Sequence, residues 1–130
     1  MKSNVKLFLC LIIALGFVVS CKKETAPATA SITLMEPLSG DTVPNGEALH
    51  MHGTITGSDE LHGYTLTLTN VTTNEVVFSG SNTSHQTNYA FDEHWVNNVA
   101  SISNMKVTVT VELDHDGNTS TKEVDFIAAN

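Results

Sequence analysis

The chain has no arginine, and its 130 residues hold only six lysines. Four of these, Lys2, Lys6, Lys22 and Lys23, crowd the N-terminus. From Thr25 to Asn130, Lys106 and Lys122 stand alone against 13 acidic residues, a net charge of −11 with histidine neutral. Such a surface repels phosphate backbones, and without guanidinium forks it cannot grip phosphate at two points. Nucleic acid is thereby excluded as a partner, whereas a cation suits the charge. Acidity also serves simply to keep an exported domain soluble. Cysteine is almost as scarce, with Cys10 and Cys21 alone. No apolar run approaches the roughly 20 residues of a spanning helix; the one from Leu7 to Val19 has 13. A Gly-x-Ser-x-Gly elbow and the glycine-rich loops that cradle phosphate are missing too, which removes the common signatures of hydrolases and nucleotide enzymes.

What is present at the N-terminus reads as a targeting segment. Lys2 and Lys6 precede the 13-residue apolar run, which has the length of a signal peptide's hydrophobic region. Val18-Val19-Ser20-Cys21 then resembles the lipobox of bacterial lipoproteins. That resemblance implies cleavage after Ser20, lipid (a diacylglycerol with palmitate-type chains) on Cys21, and attachment to a membrane of the cell envelope. More than one acyl chain is needed for a stable anchor, since a single chain binds a bilayer only marginally. Residues 1–20 are therefore expected to form the signal peptide and residues 21–30 a lipidated cysteine with a flexible tether, Lys22 to Ala30 being small, polar and proline-containing. The lysine and acidic residue after Cys21 are similar to export signals of surface-exposed lipoproteins in some Gram-negative groups, which implies an outer-membrane, outward-facing location. Once Cys10 leaves with the signal, no internal disulfide can form, and the fold must stand on packing.

Residues 31–130 are the size of one domain, and strand patterning dominates them. Seven strands are expected: Ile32 to Glu36, Glu47 to Thr56, Tyr64 to Thr69, Glu75 to Phe78, Gln86 to Glu93, Met105 to Leu113 and Thr121 to Ala128. The sixth is the clearest, with Met105, Val107, Val109 and Val111 alternating with Lys106, Thr108, Thr110 and Glu112. Period-2 alternation broken by Gly, Asn and Asp argues for an antiparallel sandwich with one wet face per sheet. The order Pro37, Gly40, Gly46, an acidic loop, then Asp116-Gly117-Asn118 before the last strand resembles bacterial immunoglobulin-like or cadherin-like modules. The resemblance implies an all-β, seven-stranded Greek-key sandwich, with the second and fifth strands as antiparallel neighbours.

Six histidines are the compositional oddity. His50 and His52 are opposite in parity to Leu49 and Met51, and His94 and Asp92 are opposite to Tyr89 and Phe91. With the apolar set facing inward, all four stand on an outer face. Pairing of the second and fifth strands then brings His50, His52, His94 and Asp92 to one surface, a workable set for Zn²⁺ or Cu²⁺. A second group, Asp59, Glu60, His62, His85, Asp114, His115 and Asp116, is expected on three loops at one end of the sandwich, suited to a divalent cation. Asp114-x-Asp116-Gly117 has a superficial likeness to a calcium loop but lacks the downstream bidentate Glu. Both groups are equally compatible with a solvated polar surface, and Trp95 with either core or an exposed anchor. No catalytic residue is singled out, and an enzyme is not expected. The sequence thus supports a tethered, non-catalytic binding module with a protein or glycan partner; the alternative is a Zn²⁺- or Cu²⁺-binding envelope lipoprotein. No cofactor is demanded.

Overall fold

A computed structural model describes residues 26–130. The expected signal peptide (1–20), the lipidation site Cys21 and the first four residues of the tether (22–25) lie outside these residues. Among the described residues no helix is long and apolar enough to cross a membrane.

The described chain forms eight strands: β1 (Ala30–Glu36), β2 (Thr42–Val43), β3 (Ala48–Leu61), β4 (Tyr64–Asn70), β5 (Glu75–Asn82), β6 (Gln86–Val96), β7 (Ser103–Glu112) and β8 (Thr119–Ala128). They make two sheets, ordered β1-β3-β6 and β2-β8-β7-β4-β5. The pairing of β3 with β6 in one sheet and of β4, β7 and β8 in the other is that of immunoglobulin-type sandwiches.

Alternation drives the packing. Leu49, Met51 and Ile55 of β3 and Tyr89, Phe91 and Trp95 of β6 turn inward against Leu66 and Leu68 of β4, Val107, Val109 and Val111 of β7 and Phe126 of β8. All are buried, and each large apolar side chain removed from water contributes about 1.5–3 kcal/mol. The intervening Thr65, Thr67, Thr108 and Thr110 stay on the outer face.

Five expectations need correction, the simplest being that β5 does not stop at Phe78 but runs on to Asn82 beside β4. The strands number eight, because β2 runs parallel to β8, held by Gly40 N–H donating to Asp125 O and Ile127 N–H to Asp41 O. A two-residue strand is too short to show alternation. Ala30, expected in the tether, already pairs with Gly57. β3 continues to Leu61, past an irregularity between Thr56 and Leu61, so Asp59 and Glu60 sit on a strand end and only His62 and Gly63 form the turn. β6 continues to Val96, which places Trp95 within the strand, buried and opposite Leu49.

Candidate functional site

The outer face of the β1-β3-β6 sheet is built by register. β3 and β6 pair antiparallel with His50 opposite His94 and His52 opposite Asp92, while Leu49 opposes Trp95 and Gly53 opposes Phe91. Directly opposed residues project from the same face. Burying Leu49, Met51, Phe91 and Trp95 therefore sends His50, His52, Asp92 and His94 outward together. On the other side of β3, Glu36 of β1 pairs with His52. Two rows of polar side chains result: Glu36, His52 and Asp92 across three strands, and His50 with His94 across two.

The rows differ in how they close. His52 Nδ1 lies 3.8 Å from Glu36 Oε2, and His50 Nδ1 lies 3.8 Å from Asp92 Oδ1. His52 thus leans toward β1, and Asp92 is left to His50 and His94. The rings of His50 and His94 have centroids 5.3 Å apart, tilted by 47°. One ligand atom each from His50, Asp92 and His94 falls within 4.8 Å of the others, and all three residues are exposed. Of the four residues expected to meet, three converge and His52 stands beside them. Glu36 was not foreseen as a neighbour, because its position opposite His52 depends on a register shift between Leu34 and Glu36.

The second group gathers at one end of the sandwich. His62 in the β3–β4 turn, His85 ahead of β6 and His115 in the β7–β8 turn bring their rings together, with centroids 4.0 Å apart for His62–His115, 4.5 Å for His62–His85 and 5.8 Å for His85–His115. Glu60 Oε1 approaches His85 Nδ1 at 3.5 Å. His62 Nδ1 is buried without a hydrogen-bond partner. Two of the carboxylates are engaged in local hydrogen bonds. Asp114 accepts from Asn118 Nδ2 (2.7 Å) and from the N–H groups of Asp116 (2.9 Å) and Asn118 (3.2 Å). The Asn118 side-chain hydrogen bond, above all, holds the Asp114 carboxyl below its ordinary range. Asp59 accepts from the N–H of Glu60, and Asp116 is exposed in the same turn as His115. Asp114 therefore shapes a hairpin turn, as Asx residues commonly do. Among the described residues, the group that brings three ligand atoms within 4.8 Å is the strand set, not this one.

The groove beside β8, lined by Ser39, Gly40, Val71, Asn104 and Ile127, carries one carboxylate, Asp125, and no imidazole. The acid–base and ligating groups thus stand on an open sheet face and at a loop end, away from it.

No family model and no curated protein matches the sequence. Among solved structures, the chain is similar to the sporulation control protein Spo0M of Bacillus subtilis, with a TM-score of 0.50 and 12% identity over 82% of this chain. It spans 51% of that protein. It is also similar to the CARDB domain of a Pyrococcus furiosus protein solved in complex with di-metal ions, with a TM-score of 0.42, 13% identity and coverage of 79% of this chain and 94% of that one. At such identities the likeness to Spo0M is one of fold, and the looser second likeness carries no argument about the site.

Proposed function

We propose that this chain is a membrane-anchored, non-catalytic lipoprotein of the cell envelope, lipidated at Cys21, whose sandwich acts by binding through the outer face of the β1-β3-β6 sheet. The lipobox-like Val18-Val19-Ser20-Cys21 supports the anchor, and the polar residues from Lys22 onward support a tether that presents the domain outward. The observation that carries the binding face is the pair of polar rows, Glu36–His52–Asp92 and His50–His94, set by strand register over a buried core. An open face of this kind can engage a ligand but cannot enclose a substrate and exclude water from it, which favours binding over catalysis.

Two measurements test the proposal. Cells fed labelled palmitate should label the native chain and leave it in the membrane fraction, while Cys21→Ala loses the label and the attachment. A membrane-bound Cys21→Ala variant would refute the anchor. A photo-crosslinking residue at Thr54, on the proposed face, should capture a discrete partner in intact cells, whereas one at Thr67, on the outer face of the other sheet, should not. Equal capture from both positions would remove the case for this face.

A further inference from the structure

We propose that His50, Asp92 and His94 form a site for a divalent transition-metal ion, Cu²⁺ or Zn²⁺, on the outer face of β3 and β6. The inference rests on that sheet face being the binding face and names the ligand it takes.

Geometry carries it. Two imidazoles sharing a tetrahedral ion hold their ring centroids roughly 5 Å apart, given metal–nitrogen bonds of about 2.0–2.1 Å; His50 and His94 stand at 5.3 Å. Three ligands on one such ion lie roughly 3.3–3.5 Å from one another, against the 4.8 Å that bounds the set here. The difference of about 1.5 Å or less is within reach of small side-chain rotations about staggered wells, since the His50 and Asp92 side chains are 54% and 69% exposed. The backbone beneath needs no change: β3 and β6 pair continuously from Ala48–Val96 to Thr56–Asn88.

Ligand chemistry selects the ion. Two neutral imidazoles and one carboxylate suit borderline ions, with Cu²⁺ above Zn²⁺ in intrinsic affinity. Ca²⁺ requires more oxygen ligands than one carboxylate supplies, and Mg²⁺ favours oxygen donors over imidazole nitrogen. Charge favours any cation here, since β1, β3 and β6 contain no lysine or arginine, and both lysines of the described domain lie on β7 and β8. Three protein ligands leave a position for water or for a donor atom from a partner.

The test is calorimetric titration of the full-length chain, purified in detergent, with CuCl₂ and ZnCl₂. One ion per chain should bind, tighter for Cu²⁺, and excess Ca²⁺ or Mg²⁺ should not displace it. His50→Ala or His94→Ala should each weaken binding by about 100-fold or more, beyond the 10–100-fold that an outer-shell partner typically carries. His85→Ala, at the loop end of the sandwich, should leave affinity nearly unchanged. On the proposed processing Cys10 is lost with the signal and the Cys21 sulfur carries lipid, so no free thiol competes for the ion; binding by any residual thiol would persist in both variants and count against the site. Cu²⁺ should also broaden the amide NMR signals of His50, Asp92 and His94 in the native chain, and leave those of His62, His85 and His115 sharp. Broadening centred on the latter three, undiminished affinity in the His50 and His94 variants, or displacement by Ca²⁺ would overturn the proposal. The titration requires neither anchor nor partner, so its failure is a separate result from failed labelling or cross-linking.

Discussion

Asn97 is 1% exposed, and its amide is fully engaged. Nδ2 donates to the carbonyls of Val43 and Ala129, both at 2.8 Å, and Oδ1 accepts from the N–H of Val99 at 3.1 Å. One side chain therefore ties the end of β6 to the ends of β2 and β8. Removing it leaves the Val99 N–H and the Ala129 carbonyl without partners, while the Val43 carbonyl keeps the Ala129 N–H at 2.9 Å. Each orphaned group carries a desolvation cost of about 1–3 kcal/mol. Asn97→Ala should lower the free energy of unfolding by about 2–3 kcal/mol, read from the urea midpoint at constant slope. Nothing in Val96-Asn97-Asn98 announces this role, because an Asn pair after a strand reads as a turn. Asp114 illustrates the opposite case, a turn residue visible in the sequence with a consequence for pH. Its folded carboxyl sits below the ordinary aspartate value of 3.8, chiefly through Asn118. A depressed folded value means that the contribution to stability is complete above the ordinary value and drains away as pH falls through the folded one. Stability measured downward from about pH 4 should therefore fall more steeply in the native chain than in Asp114→Ala.

At the scale of the element, β3 decides most of the architecture, and Gly53 is its tightest point. A Cβ there would lie 2.1 Å from Thr33 O and 2.7 Å from the Phe91 ring. The side chain is missing where β1 shifts register, between Leu34 and Glu36, and where Phe91 covers the strand. Gly53→Ala should displace β1 or unseat Phe91, at a cost of about 1–3 kcal/mol or more. Faster amide exchange in β1 than in β7 would identify which element gives way, and an unchanged unfolding midpoint would show that the strands simply part to admit the methyl. This strand also shows what sequence can reveal. Parity alone assigned Leu49, Met51 and Ile55 inward and His50 and His52 outward, because a one-residue slip would expose the whole apolar set. The β3–β6 pairing came from the resemblance to immunoglobulin-like modules, and it brought His94 beside His50. Three features depend on contacts that local pattern does not encode: the two residues of β2, the continuation of β3 beyond Thr56, and the turning of His52 toward Glu36. The meeting of His62, His85 and His115 was legible for a different reason, since loops alternate between the two ends of a sandwich.

For the whole molecule, charge is the dominant long-range term. Residues 25–130 carry 13 carboxylates and two lysines, and Lys106 pairs with Glu123 at 3.0 Å. The other close pairs among the described residues join carboxylates to His50, His52 and His85, which are cationic only when protonated. Exposed pairs of either kind contribute little, about 0–1 kcal/mol each. Self-repulsion among the remaining carboxylates opposes compaction, and it extends over the Debye length, about 10 Å at 0.1 M salt and longer below that. Unfolding spreads these charges apart and relieves the repulsion. Added salt should therefore stabilise this protein: the urea midpoint should rise between low and physiological ionic strength at neutral pH. NaCl and KCl should act alike, because the effect is screening. A midpoint that falls with salt would mean that attractive pairs outweigh repulsion. A rise confined to divalent transition-metal salts, and lost in His50→Ala, would assign the stabilisation to a bound ion, because only a ligand that prefers the folded chain raises stability by mass action.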